Sequence, residues 1–297
     1  MLWIINGLIY GFFMALYMLV NQNKKINGYV LGIWRGFGIA LLFAPVLFFI
    51  PLLQDWRNWG LLVLQGILIG VYDSHIFFAS AKFGADNTSR LLVLSVLLTT
   101  MLWWILTPAK FVKLFADANV FITLILSLAG FCICYWYMLK SKVTKAALKY
   151  MASAVIALAL MSIATKEIAV MKQNVWYNVI YYLTVSTFIS GCYNLLLFVT
   201  HNHVKKLKQA IFAPQIVQTG IYIIGFSAAL IVAKTLALRL APNPGYVITL
   251  LLTAPLFVYV LSPRRRKSSN VSEKAGWAML FFLGLIMLLV CSIGVED

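Results

Sequence analysis

Charged residues are scarce in this chain. Only 11% of its 297 residues are Asp, Glu, Lys or Arg, and only eight of them are acidic. A soluble globular domain has about a quarter of its residues charged. Hydrophobic residues make up 63% of the sequence, and the mean hydropathy is +0.92. This composition excludes an ordinary soluble globule and predicts a membrane protein.

Cysteine and histidine are also rare, with four and three residues. The cysteines, Cys132, Cys134, Cys192 and Cys291, all fall inside apolar stretches, so neither a disulfide framework nor a zinc-ligand spacing is present. No histidine pair or carboxylate cluster falls at membrane depth. We therefore expect no metal, no cofactor and no intramembrane enzyme.

Long apolar stretches are abundant, and each is near the length of about 20 residues that crosses a bilayer as a helix. The short alternating segments of a transmembrane barrel are absent. The sequence predicts an all-α polytopic protein with ten spans, at about 3–20, 28–50, 60–81, 89–107, 118–139, 146–168, 176–199, 210–235, 246–262 and 275–293. The net charge of +16 lies mainly between the spans. Such basic residues anchor a protein to anionic lipid headgroups and set its orientation in the membrane. Lipids are therefore expected partners, and nucleic acid is not.

The third span carries an acidic residue, Asp73, near its middle, in the stretch GILIGVYDSHIFFASA. An ionisable group at the bilayer centre costs roughly 2.5–3.5 kcal/mol on insertion scales, so Asp73 should face the protein interior. Its helical face also contains Gly66 and Gly70, which allow a neighbouring helix to approach closely. Asp73 is either a substrate or proton site, or half of an ion pair that holds helices together.

A basic residue, Arg35, lies inside the second span, on the face formed by Gly28 and Gly32. One hypothesis is that Arg35 forms an ion pair with Asp73. The alternative is that Arg35 extends to the membrane surface and binds lipid phosphate.

Three further polar residues are candidates for lining a cavity. Asn194 shares a face of the seventh span with Thr187 and Gly191, and Gln218 and Tyr222 lie on one side of the eighth. Hydrogen bonding between helices is the alternative role for such residues.

The chain matches itself at an offset of 155 residues: Gly70 aligns with Gly225, and Leu106-Thr107-Pro108 with Leu261-Ser262-Pro263. The third and fourth spans thus repeat as the eighth and ninth. Because five spans is an odd number, the halves must cross the membrane in opposite senses. The sequence predicts two inverted five-helix repeats, 1–143 and 144–297, in one membrane domain. Many secondary transporters have this plan, with the substrate site between the repeats.

The sequence resembles the drug/metabolite transporter superfamily, in its ten-helix EamA-like branch. The resemblance is carried by Trp34-Arg35-Gly36, by IFFASAKFGADNTSRLLVLSVLLTTMLWWIL, and by LIVAKTLALRLAPNPGYVITLLLTAPLFVYVL. It spans nearly the whole chain, although the acidic residue often found after the fourth and ninth spans is missing here. It implies a central cavity, alternating access and small organic solutes.

The distribution of basic residues between the loops predicts on which side of the membrane the termini lie. If the N-terminus were cytoplasmic, the cytoplasmic loops would hold seven basic residues, including Lys166 and Lys234, and the opposite side sixteen. The positive-inside rule therefore favours external termini and a cytoplasmic Ser262–Lys274 loop, whereas the resemblance implies the reverse.

The function expected from the sequence is secondary transport of small polar or zwitterionic, amino-acid-like metabolites. The proposed substrate-binding residues are Arg35, Asp73, Gln218, Tyr222 and Asn194. The alternatives are a carrier of nucleoside-type metabolites such as S-adenosylmethionine, and a non-transporting membrane scaffold or sensor. The expected location is the cytoplasmic (inner) membrane of a bacterium, and a homodimer is left open.

Overall fold

A computed structural model describes residues 2–113, 118–140, 144–171, 174–201, 211–241, 243–251, 253–261, 278 and 281. The regular structure of this part of the chain is entirely helical. Its first half contains helices α1 (Leu2–Lys24), α2 (Gly28–Phe43, continued by a 3-10 turn Ala44–Phe49), α3 (Trp56–Phe83), α4 (Ala85–Leu92), α5 (Leu94–Leu106), α6 (Pro108–Lys113) and α7 (Ala118–Lys140).

The second half contains α8 (Lys145–Ala169), α9 (Val175–Tyr181), a π-helical turn Tyr182–Ser186, α10 (Thr187–His201), α11 (Pro214–Leu240), α12 (Pro244–Leu250) and α13 (Thr253–Leu261). Thr144 caps the start of α8, since its hydroxyl accepts a hydrogen bond from the amide of Ala147. The predicted division between residues 143 and 144 thus falls at a helix start.

Among the described residues, seven helical segments are long and apolar enough to cross a membrane: Leu2–Lys24, Gly28–Phe49, Trp56–Phe83, Ala85–Leu106, Lys145–Ala169, Val175–His201 and Pro214–Leu240. They coincide with the predicted spans one to four and six to eight. The protein is therefore an integral, multi-pass helical membrane protein. Helix α7 covers the predicted fifth span, and α12 with α13 the ninth. Most of the tenth span, and the Ser262–Lys274 loop, lie outside the described residues.

Local sequence signals explain where the long helices begin and end. The side chains of Asn27 and Asp55 accept hydrogen bonds from the amides of Tyr29 and Arg57, which caps the amino ends of α2 and α3. Helix α3 ends at Gly84, whose φ of 86° suits glycine best. Proline begins α11 and α12, where a missing amide hydrogen costs nothing.

The helices pack in an interleaved arrangement of the two halves. Helix α1 packs against α11, α3 against α8, and α2 against α10. Helices α2 and α10 approach each other closely, since a Cβ atom added at Gly36 would overlap the backbone of Gly191. Large apolar side chains such as Leu41, Phe48 and Leu196 are exposed on the outside, as expected of a surface in contact with lipid chains.

Candidate functional site

Arg35 on α2 and Asp73 on α3 form an ion pair inside the protein. Nη1 of Arg35 contacts Oδ2 of Asp73, and the two residues are 4% and 0% exposed. The ion pair hypothesised from the sequence is therefore confirmed. Both charges are removed from solvent, so each depends on the other for compensation.

Tyr17 on α1 completes this cluster. Its hydroxyl donates a hydrogen bond of 2.8 Å to Oδ1 of Asp73, and its ring centroid lies 5.8 Å from Cζ of Arg35. The ring also packs on Phe77 with a centroid separation of 4.6 Å. Three helices thus meet at one carboxylate. We call Tyr17, Arg35 and Asp73 the central triad.

The triad lies well inside the membrane. Arg35 is seven residues from the start of α2, Tyr17 seven from the end of α1, and Asp73 ten from the end of α3. At a rise of about 1.5 Å per residue, this places the triad roughly 10–15 Å below the α1–α2 turn.

Asn21 lies between the triad and the α1–α2 turn and links three helices by hydrogen bonds. Its amide nitrogen donates to the carbonyl oxygens of Phe77, at 2.8 Å, and of Ile26, at 3.1 Å. Its amide oxygen accepts from the backbone amide of Ile26 at 2.8 Å. One side chain therefore ties the end of α1 to the start of α2 and to α3.

Gln65, about two turns before Asp73 on α3, forms a second buried polar contact. Its amide nitrogen donates to the hydroxyls of Thr165 on α8, at 2.8 Å, and of Tyr182 in the π-helical turn, at 2.9 Å. Polar side chains thus connect α3 with both halves of the protein along the interior.

Asn194 lies on the contact between α10 and α2, with no exposed surface. Its amide group fills the space left by Gly32, where an added Cβ would overlap it. Its nitrogen donates to the carbonyl oxygen of Ser190 at 2.9 Å, and its oxygen has no hydrogen-bond partner among the described residues. Because Gly32 precedes Arg35 by three residues, Asn194 lies about one turn from the triad.

Gln218 and Tyr222 lie elsewhere. Both are exposed on α11, and the Tyr222 ring stacks on Phe226 at a centroid separation of 6.3 Å. The structure therefore brings Arg35, Asp73 and Asn194 into one region and leaves Gln218 and Tyr222 outside it. Helical periodicity predicted correctly that the two lie on the same side of α11 but could not indicate which way that side faces.

The structure corrects the assignment of Lys166 and Lys234 to loops. Lys166 is buried and donates to the carbonyl oxygens of Leu238, at 2.7 Å, and Ala241, at 2.6 Å, at the end of α11. Lys234 is 1% exposed, inside α11. On the other side of the membrane Arg90 is buried as well, and pairs with Asp86. Without these three, the basic residues divide five against fifteen.

Comparison of the sequence with models of known protein families finds no match, and neither does comparison with curated proteins. The functional argument therefore depends on the geometry of the interior.

Proposed function

We propose that the protein is a secondary transporter of small zwitterionic, amino-acid-like metabolites, of the ten-helix EamA-like plan, in the cytoplasmic membrane of a bacterium. The observation that carries this proposal is the buried Arg35–Asp73 pair between membrane helices. Ionisable residues at this depth are costly and mark solute or proton pathways more often than not.

The pair supplies the two charges that a zwitterion needs. A substrate carboxylate can replace Asp73 as the partner of Arg35, while the substrate ammonium takes the place of Arg35 beside Asp73. Every buried charge stays compensated during this exchange, so the large cost of an unpaired buried ion is avoided. Tyr17 keeps Oδ1 of Asp73 hydrogen-bonded and so holds the carboxylate in place while Oδ2 changes partner.

Contacts between equivalent residues support an inverted repeat. Gly36 and Gly191 are 155 residues apart and touch each other. In an assembly with a twofold axis, a residue meets its own equivalent only on that axis. The α2–α10 contact is therefore the expected position of the pseudo-twofold axis, one residue from Arg35.

A second pair of contacts agrees with this axis. Gly70 on α3 packs against Tyr193 on α10. Exchanging the halves at the same offset converts this pair into Gly225 and Gly38, and Gly38 packs against Ile224, beside Gly225. The packing of α1 on α11 and of α8 on α3 is exchanged in the same way. Two halves of five spans each, related by this axis, are the arrangement we propose.

The proposal is tested with a variant that removes both charges together, Arg35→Gln with Asp73→Asn. Replacing a buried pair by neutral groups is often tolerated, so this variant is expected to fold. Wild-type protein is first screened by thermal shift against amino acids and related zwitterions. The stabilising compound is then used in radiolabelled uptake into proteoliposomes. We expect uptake to fall to the level of protein-free liposomes in the double variant. Uptake retained by a folded double variant would show that the pair is structural.

Tyr222→Leu is the matched control, since Tyr222 is 51% exposed and outside the triad. Its uptake should equal that of the wild type. Loss of uptake in this variant would favour the nucleoside-type carrier, which needs aromatic stacking there. Absence of uptake of any stabilising compound by the wild type would favour a membrane scaffold or sensor.

A further inference from the structure

Lys234 is a second buried cation, and it differs from Lys166 in a decisive way. Both are buried, at 1% and 8% exposure. The Lys166 ammonium is held by carbonyl oxygens at the end of α11. Nζ of Lys234, in contrast, has no hydrogen-bond partner in the described part of the chain. The ring of Tyr10 is a favourable contact, with its centroid 5.9 Å from Nζ.

Within the described part of the chain, no counter-charge lies near Lys234. The buried titratable groups on the helices packed against α11 are Tyr10, Tyr17, Arg35, Lys166, Tyr181 and Tyr246. The carboxylate described on these helices, Glu167, is exposed. Asp73, on α3, is already bound by Arg35 and Tyr17. The charge of Arg35, which acts on Lys234, has the same sign and opposes an ammonium there.

An ammonium carries three hydrogen-bond donors. Burying it without an acceptor costs more than a desolvated cation–π contact returns. Because none of the described groups compensates a charged Lys234, the neutral amine is favoured unless an anion from outside the chain binds there. Nε of Arg35, also buried and without an acceptor among the described residues, is a second donor available to an anion in this interior.

We propose that Lys234 binds the carboxylate of a small organic acid and takes up one proton when it does so. The neutral amine, one proton from solvent and the carboxylate combine into an ammonium–carboxylate pair, and no covalent bond of the solute changes. The buried net charge is the same before and after binding. This site concerns binding, and it holds whether or not the solute then crosses the membrane.

The test uses the purified full chain in detergent with lysine labelled by ¹³C at Cε, whose chemical shift distinguishes amine from ammonium. The Lys234 signal is the one missing in Lys234→Arg. Acetate is the probe and replaces chloride at constant ionic strength and neutral pH. We expect the signal to start at the amine position and move to the ammonium position as acetate is added. Proton uptake, measured from binding heats in buffers of different ionisation enthalpy, should be one per acetate.

Variants separate this role from a structural one. Lys234→Met should fold, because an apolar chain of similar length replaces a buried amine that has no hydrogen-bond partner among the described residues. It should lose acetate binding. Lys234→Arg should bind acetate without proton uptake, since a guanidinium is always charged. Lys149→Met, at an exposed lysine, should behave as the wild type.

Three outcomes would overturn the proposal: an ammonium signal before acetate is added, no response to acetate, or a response to inorganic phosphate alone. The wild-type spectra decide the matter even if Lys234→Met does not fold.

Discussion

The hydroxyl of Tyr17 lies 2.8 Å from Oδ1 of Asp73, the carboxylate oxygen opposite the one that Arg35 contacts. Asp73 is therefore held from two helices at once. Removing the hydroxyl leaves the ion pair but deprives a buried carboxylate of one donor.

Tyr17→Phe should lower the free energy of unfolding by about 1.5–3 kcal/mol, the range for hydrogen bonds to charged groups. Thermal melting in detergent measures this, with Tyr222→Phe as control, because Tyr222 is exposed. Equal melting temperatures for both variants would contradict the buried hydrogen bond.

Asp73→Asn alone should be more damaging than the double variant with Arg35→Gln. The single change leaves the Arg35 guanidinium buried without its counter-charge, which costs on the order of 3–5 kcal/mol. Melting of the two single variants and the double variant gives the coupling energy directly. Additive losses would mean that the two side chains do not interact in the membrane.

Gly36→Ala should destabilise the protein, because the new methyl group would overlap the backbone of Gly191. Overpacking of this kind costs about 1–3 kcal/mol. Gly225→Ala is the matched control: it is also a glycine inside a helix, and nothing lies within 4 Å of the added carbon. Alanine is the better helix former by about 1 kcal/mol, so this control should be unchanged or slightly stabilised. A reversed order of stability would be incompatible with the close α2–α10 contact.

Lys166→Met should loosen the end of α11, since the carbonyl oxygens of Leu238, Arg239 and Ala241 lose their donor. The expected loss is about 1–3 kcal/mol. Lys149→Met, at an exposed position of the same helix, should have no effect. Hydrogen exchange at residues 237–241 provides a local measurement, and faster exchange is expected there in Lys166→Met alone.

The orientation of the protein in the membrane can be measured at two exposed positions, Lys24 and Gln54, which lie beyond opposite ends of α2. In a background whose four cysteines are replaced by serine, each position is changed to cysteine and treated with a membrane-impermeant maleimide in intact cells. The charge distribution predicts that Gln54→Cys reacts, while Lys24→Cys reacts only after permeabilisation. The opposite pattern would place the termini in the cytoplasm, as the family resemblance implies.

The seven long apolar helices of the described residues and the ion pair are predictable, because placing polar groups in lipid costs a large free energy. An apolar stretch of about 20 residues has few alternatives to a membrane helix, and a carboxylate such as Asp73 cannot face lipid cheaply. Arg35 was an evident partner because it is a basic residue inside a neighbouring span.

Tyr17 and Lys234 are harder to recognise from the sequence, because no large free-energy cost distinguishes them from ordinary interfacial residues. Tyrosine is common at membrane interfaces, so Tyr17 gave no distinct signal, although its spacing of four residues from Asn21 places both on one face of α1. Lys234 is six residues from the end of α11, and sequence alone does not distinguish a lysine that reaches the surface from one that is enclosed. The outward direction of Gln218 and Tyr222 depends on the packing of α11 against α1 and α2, which no local pattern specifies.

The contact between Gly36 and Gly191 has a mechanical consequence. If the two halves rock against each other as proposed, a point on the axis is a fulcrum, and the displacement of any atom grows with its lever arm from that point. Arg35 is adjacent to the fulcrum, whereas Trp56 and Phe83 are at the two ends of α3. Large movements at the two membrane surfaces would then leave the guanidinium almost stationary. Arg35 and a charge bound to it would become accessible from one side of the membrane and then from the other without moving far.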